Sequence, residues 1–259
     1  MPVALTIAGS DPSGGAGVQA DLKTFQAFQV YGAAVITALT VQNTRGVRAV
    51  HPVAPDVVVA QLDAVAEDLP VGAVKIGLVP GPDVAAALAV RLERRGLPEL
   101  VLDPVLVAGS GDALSAQSTP AALRALLPYA ALVTPNLSEA AALTGRAVRD
   151  LAEMADAARA LVDLGASAAL VKGGHLPDRP VDVLYTGGSV HELDAARVPV
   201  RPTHGTGCTL SAAIAACLAS GHDLASAVAR ARRFVHRALA AAPALGAGAR
   251  PLDHRVRTD

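Results

Sequence analysis

The sequence predicts an α/β fold: a mostly parallel central sheet with helices on both faces, edged by antiparallel hairpin strands. Three observations carry this. Short apolar runs alternate with helical stripes through the first two thirds of the chain, the pattern of repeated strand–helix units. Those runs are apolar at consecutive positions, as in strands covered on both faces. After Val171 the helices drop out and short strands follow one another, as in hairpins.

The elements follow in order. Val3–Ala8 is a continuous apolar run and reads as a buried strand. Val18, Leu22, Phe25 and Phe28 or Gln29 recur at helical spacing, so a helix is expected from about Gly17 to Tyr31. Ala33–Leu39 is the second buried run. A helix over Asp56–Glu67 puts Val59, Leu62 and Val65 or Ala66 on one side. A strand at Ala73–Leu78, a helix at Pro82–Arg95 and a strand at Leu100–Pro104 come next. Leu123–Leu127 reads as a helical turn, Ala131–Thr134 as a strand and Ser138–Leu143 as a short helix. Asp150–Leu164 is a longer helix, and Ala168–Val171 a strand. Val181–Tyr185 and Ser189–Leu193 are short strands around Gly187-Gly188, which suits a hairpin turn. Ala196–Val200 is a further candidate strand. Two helices, Gly207–Ser220 and Leu224–Ala242, close the pattern. Residues 242–259, rich in Gly, Ala and Arg, are expected to be poorly ordered. No linker or internal repeat interrupts the chain, so residues 1–259 are read as one domain.

A chain of 259 residues can bury a full core. Apolar residues make up 52%, with no Trp, three Phe and three Tyr, so that core must be aliphatic. The net charge of −1, without a block of one sign, argues against nucleic acid or an anionic membrane as partner. Arg230, Arg232, Arg233 and Arg237 read as a solvated helix face. The apolar stretch Leu210–Ala219 is too short to span a bilayer. The N-terminus lacks a basic region and reads as a strand, not a signal peptide. Cys208 and Cys217 fall on opposite faces of one expected helix and cannot pair with each other. With no disulfide framework and no zinc spacing, a reducing cytoplasmic location is expected.

Polar clusters lie at the C-terminal ends of the expected strands, the edge where open α/β sheets bind ligands. Gly9-Ser10-Asp11-Pro12-Ser13-Gly14-Gly15-Ala16-Gly17 links the first strand to the first helix, and its glycines let backbone approach a ligand. It is neither a GxxxxGKS/T nor a GxGxxG loop. Asp21 follows in the helix, where an acid can simply favour the N-terminal dipole. Gln42 and Asn43 offer amides suited to a planar heterocycle. Asp103 and Glu139 put carboxylates at the same edge. Two acids near a triphosphate suit a hydrated Mg²⁺, although Glu139 reads equally as a first-turn helix acid. Lys172-Gly173-Gly174-His175 could reach phosphate oxygens. Thr203-His204-Gly205-Thr206-Gly207-Cys208 opens an apolar helix, and its backbone N–H groups can bind an anion and stabilise a transferring phosphoryl group. Cys208 falls in that helix's first turn, where the dipole is expected to lower a thiol pKa. Cys217 reads as a small hydrophobe.

Taken together, Ala8–Phe25, Thr37–Gly46, Lys75–Leu78, Asp103–Val105, Thr134–Ala142, Val171–His175 and Thr203–Ser211 resemble the hydroxymethylpyrimidine/phosphomethylpyrimidine kinases of thiamine biosynthesis, within the ribokinase-like superfamily. The resemblance implies a three-layer α/β/α fold, ATP and Mg²⁺ as cofactors, a small pyrimidine acceptor and a homodimer. It implies that Gly9, Asp21, Gln42 and Val105 hold the pyrimidine, with Leu78 packed on it. Asp103 and Glu139 would hold the metal, and Asn136, Lys172 and Thr206 would meet ATP. Gly205, Thr206, Gly207 and Cys208 would form the anion hole, with Cys208 beside the reacting hydroxyl where sugar kinases carry Asp. The chain departs from the family at Gly109, where Lys is frequent, at Leu78, where Met is frequent, and at Ser138, where Pro is common. A pyridoxal kinase is the nearest rival reading. A non-catalytic binding protein on the same fold is another, opposed by the retention of Asp103, Glu139, Lys172 and the anion hole.

Overall fold

The computed structural model describes residues 1–106, 120–174, 176, 179–194, 196–199 and 203–259. The chain opens with β1 (Val3–Ser10), α1 (Gly17–Ala27), β2 (Tyr31–Asn43), β3 (Gly46–Pro52) and α2 (Pro55–Asp68). It continues through β4 (Ala73–Ile76), α3 (Pro82–Arg94), β5 (Leu100–Leu102), α4 (Pro120–Arg124), β6 (Leu132–Val133) and α5 (Leu137–Thr144). Then follow α6 (Leu151–Asp163), β7 (Ala169–Val171), β8 (Val181–Thr186) and β9 (Ser189–Asp194). The last elements are β10 (Thr203–His204), α7 (Thr206–Ala219), α8 (Leu224–Ala240) and β11 (Arg250–Pro251).

Side chains of the central strands alternate between two cores. Leu5, Ile7, Val74, Ile76, Leu100, Leu102 and Val133 join one core with residues of α2, α3, α5 and α6. Their neighbours Ala4, Ala73, Val101 and Leu132 join another with α7 and α8. The period-2 geometry of a strand thus splits a continuous apolar run into two buried faces. The result is the three-layer α/β/α architecture, with sheet order β3-β2-β1-β4-β5-β6-β7-β8-β9. Pairs from β2 through β1 to β7 are parallel, whereas β3, β8 and β9 pair antiparallel at the edges. Strand order reverses around β1 and β4, which opens a crevice at the C-terminal ends of those strands. Helix α7 is buried almost all round, from Thr209 to Leu218, as expected of a helix apolar on every face. Cys217 lies in that core at 1% exposure.

Several expectations need correction. Helix α1 stops at Ala27, not Tyr31, because Gln29 adopts φ 59° and Tyr31 donates to Pro2 O to start β2. Phe28 packs edge-to-face on Phe234 instead of continuing the helix. Strand β2 runs on to Asn43 and turns back as β3, an unexpected hairpin. The strand at Leu100 ends at Leu102, and the turn at Leu123–Leu127 is α4 followed by a 3₁₀ turn at Leu127–Tyr129. Residues 196–199 form no strand, and Val200 lies outside the described residues. The tail is built into the fold: Arg250–Pro251 pair with Thr203–His204, and Leu252 is buried. Arg232 is not a solvated side chain, since it pairs with Asp182 at 2.8 Å and donates to Leu193 O. Arg237 reaches the carboxyl end at Asp259.

Candidate active site

The crevice holds a cavity of about 680 Å³. One wall begins with the loop after β1. Asp11, 2% exposed, accepts from the backbone of Ser13, Gly15 and Ala16 and from the Ser13 hydroxyl, which winds the loop around one carboxylate. The loop leading into α7 lies directly against it. Gly205 has φ 82°, and a Cβ there would stand 1.9 Å from Gly15 O, so only glycine allows the two loops to interlock. Helix α7 has no side-chain cap, which leaves its first N–H groups for a ligand.

Those N–H groups face a charged cluster. A Cβ on Gly207 would lie 3.1 Å from Lys172 Nζ. Lys172 Nζ is 3.0 Å from Asp103 Oδ1 and 4.0 Å from Glu139 Oε2. Asp103 also accepts from Thr134 and Ser211. Burial opposes its charge, but Lys172 and then Lys75 outweigh this and hold its carboxyl below the usual range. Burial likewise pushes Glu139 up, only partly offset by Lys172. Burial works against the Lys172 ammonium, and Asp103 and Glu139 reverse that and raise it. Asn136 lines the cavity and caps α5 in a capping box: its side chain accepts from Glu139 N, and Glu139 accepts from Asn136 N. Two carboxylates share one ammonium here, so a cation is electrostatically welcome. Among the described residues no group of three or more His, Cys, Asp or Glu side chains could enclose a metal. Two carboxylates beside an ammonium are the donor set of a cation that keeps most of its waters, as Mg²⁺ does.

The opposite end is apolar. Gly9 runs against Leu78, which packs with Ala38, Val47, Val50 and Val105. Gln42 projects from β2 into the same cavity and accepts from the Thr40 hydroxyl. Gly9, Gln42, Leu78 and Val105 thus come together as expected. Asp21 does not join them on the wall. It is wholly buried behind it, 2.8 Å from Lys75 and accepting from Thr6, with Oδ1 unpartnered. Burial pushes the Asp21 carboxyl up, against the pull of Lys75. Burial also disfavours the Lys75 ammonium, yet Asp21 and its other anionic neighbours hold it above the usual range.

Cys208 lines the cavity beside Thr206. Burial pushes its thiol up to about 11, opposed by Lys75 and by the Gly17 N–H. The expected dipole-lowered thiolate is therefore wrong for the resting protein: desolvation outweighs a helix terminus. His204 was missed as a site residue. It is 6% exposed, lines the cavity and has no partner at Nε2, and burial keeps it neutral by lowering its pKa. Its only sequence signal was its place in the Gly205–Cys208 motif. Asp182, which accepts from Gly173 N and pairs with Arg232, was also missed at the far end of the cavity. Gly109 and His175 lie outside the described residues.

Comparisons with known proteins match this geometry. The sequence model of the phosphomethylpyrimidine kinase family covers residues 11–253. The hydroxymethylpyrimidine/phosphomethylpyrimidine kinase of Rhizobium meliloti is 54% identical over 97% of this chain and 96% of its own. Among solved structures, a phosphomethylpyrimidine kinase from Clostridium difficile aligns at TM-score 0.79 and 38% identity, over 91% of this chain and 98% of its own. An ADP complex of Bacillus subtilis pyridoxal kinase aligns at TM-score 0.88 and 36% identity, over 98% of this chain and 97% of its own. The chain belongs to the phosphomethylpyrimidine kinase family.

Proposed function

We infer that the protein uses ATP to phosphorylate 4-amino-5-hydroxymethyl-2-methylpyrimidine to its monophosphate, and the monophosphate to the diphosphate, in thiamine biosynthesis. The observation that carries this is one cavity with an uncapped helix N-terminus against Lys172 at one side and an apolar plate with Gln42 at the other. The first suits phosphates and the second a small aromatic ring. The 54% identity to a pyrimidine kinase, against 36% to a pyridoxal kinase, favours the pyrimidine as acceptor. Side-by-side ATP consumption with the pyrimidine alcohol and pyridoxal tests it. Faster turnover of pyridoxal would reverse the assignment.

In this reading Lys172, Asn136 and Thr206 meet ATP, and the Gly205–Cys208 N–H groups take the charge of the transferring phosphoryl group. Positioning and electrostatics supply most of the rate in such transfers. Asp103 and Glu139 would hold a hydrated Mg²⁺, which neutralises phosphate charge when bound. Gly9, Leu78 and Val105 form the plate on which the ring packs, and Gln42 bonds its edge. Asp21 acts from behind the wall by holding Lys75.

Cys208 is the proposed proton acceptor for the alcohol. A resting thiol near 11 must lose its own proton before it can accept another. Cys208→Ser should therefore lose roughly a hundredfold in kcat for the alcohol, and less for the monophosphate, whose acceptor oxygen is already ionised. Equal losses in the two steps would assign Cys208 to positioning alone. We further propose a homodimer in the cytoplasm. Exposed Leu39 and Val41 on the β2–β3 hairpin offer an apolar contact face, and sedimentation of the wild type against Leu39→Asp tests it.

A further inference from the structure

The C-terminal segment touches both walls of the cavity. Its first contact is the β2–β3 turn. Ala249 N donates to Thr44 O at 2.8 Å and Gly248 N to Thr44 Oγ1 at 3.3 Å. A Cβ on Gly248 would stand 1.9 Å from Thr44 O, so the crossing demands glycine. The chain then pairs in parallel with Thr203–His204, the strand that enters the anion-binding turn. Leu252 is buried at 4% exposure, and Asp253 N donates to Ala238 O on α8. Finally His254, 8% exposed, sits 3.0 Å from the Thr209 hydroxyl. Thr209 is fully buried, follows Cys208 directly, and donates its N–H to Gly205 O in the first turn of α7. Thr44, Ala249 and residues 203–208 all line the cavity.

We propose that residues 246–254 form a positioning strap that sets the anion-binding turn against the acceptor hairpin, with His254 as the positioning residue for the turn and Gly248 as the contact for the hairpin. The strap's two ends act on different ligands. The His254 end fixes N–H groups that matter in the transition state, so its loss belongs in kcat. The Gly248 end fixes the β2–β3 turn beside Gln42, so its loss belongs in the acceptor KM. Burial drops the His254 imidazole to about 4, so it stays neutral and bonded to Thr209 across the physiological range.

The proposal rests on the kinase reading, and the test keeps the two apart. In the full-length enzyme, His254→Ala and Thr209→Val should each lower kcat roughly tenfold in both phosphorylations, the size of one lost buried hydrogen bond. The acceptor KM should stay within about twofold, and the double variant should be no worse than either single one. His254→Gln, whose amide can still bond Thr209, should restore most of the loss. Gly248→Ala should do the reverse, raising acceptor KM roughly tenfold with kcat nearly kept. A second readout needs no substrate. Cys208 alkylation by iodoacetamide, located by mass spectrometry to separate it from Cys217, should run several-fold faster in His254→Ala because the turn loosens. A drop in melting temperature with wild-type kcat, a kcat loss that Gln does not restore, or unchanged labelling would each overturn the strap. A wild type that turns over neither pyrimidine nor pyridoxal would sink the kinase reading instead, and the labelling would still decide the strap.

Discussion

Two lysine–carboxylate clusters stand on one sheet, at β4 and just after β7 with β5 and β6 between them, and they differ in burial. Lys75 at β4 meets Asp21 at 2.8 Å with both side chains at 0% exposure. Lys172, directly after β7, meets Asp103 at 3.0 Å and Glu139 at 4.0 Å, with its own side chain 15% exposed. The first cluster is one charge against one, sealed, with Thr6 as a further donor. The second has two acids to one base and an open face beside the anion-binding turn. Residue type alone does not separate structure from chemistry here. Solvent access and an unbalanced charge do, because a matched buried pair satisfies its own charges, whereas an open, unbalanced one recruits a counter-charge.

Removing each lysine gives the largest contrast. Lys75→Met leaves Asp21 without its counter-charge in the interior, a loss of about 3–5 kcal/mol in stability, readable by chemical denaturation. Lys172→Met should cost less stability, because its cluster is open on one face and Lys75 still acts on Asp103, but it should cut kcat/KM for ATP by about a hundredfold or more, as for other removed transition-state donors. If instead Lys172→Met unfolds the protein and Lys75→Met merely slows it, the assignment of the two clusters is reversed.

Glu139→Gln sharpens the open cluster. The amide can still accept from Asn136 N, so the capping box and the stability survive. What is lost is the second negative charge. The magnesium concentration for half-maximal rate should rise by roughly tenfold, about 1.4 kcal/mol. An unchanged magnesium titration would remove Glu139 from the metal site.

How far the sequence discloses this arrangement depends on whether the determinant is local. The parallel strands were legible because both-face coverage writes itself as unbroken apolar runs such as Val3–Ala8. Strand β3 was not, because an edge strand mixing Arg48 and His51 with Val47 and Val50 carries no such run. The order of the tail is likewise non-local: its partners include Thr44 and Thr203–His204, far away in the chain. Gly9, Gln42, Leu78, Val105, Asp103, Glu139 and Lys172 line one cavity because strand ends converge at one sheet edge, a convergence the strand pattern discloses. Asp21 was misplaced because its partner Lys75 is 54 residues away, and a helix acid looks the same whether it faces ligand or lysine. Cys208 was misjudged because the dipole rule is written for accessible first turns, while here the thiol is pushed up by burial.

The smallest effect belongs to neither cluster, which makes it a clean control on both. Gln42 sits on β2 at the apolar end, and its amide oxygen accepts from the Thr40 hydroxyl at 3.3 Å. That bond uses an acceptor lone pair, and the amide N–H groups remain the donors suited to a ring nitrogen. Gln42→Ala should raise the pyrimidine KM by roughly tenfold, the cost of one unpaired hydrogen bond of about 1–3 kcal/mol. The ATP KM, the magnesium requirement and the melting temperature should stay close to wild type, because none of the charged groups is touched. Gln42→Glu keeps the side-chain length and the acceptor but removes the donors, so it should bind the pyrimidine as poorly as Ala. A parallel rise of the pyrimidine and ATP constants in Gln42→Ala would mean that the residue shapes the β2–β3 hairpin instead of reading the ring, and would move the acceptor pocket off this end of the cavity.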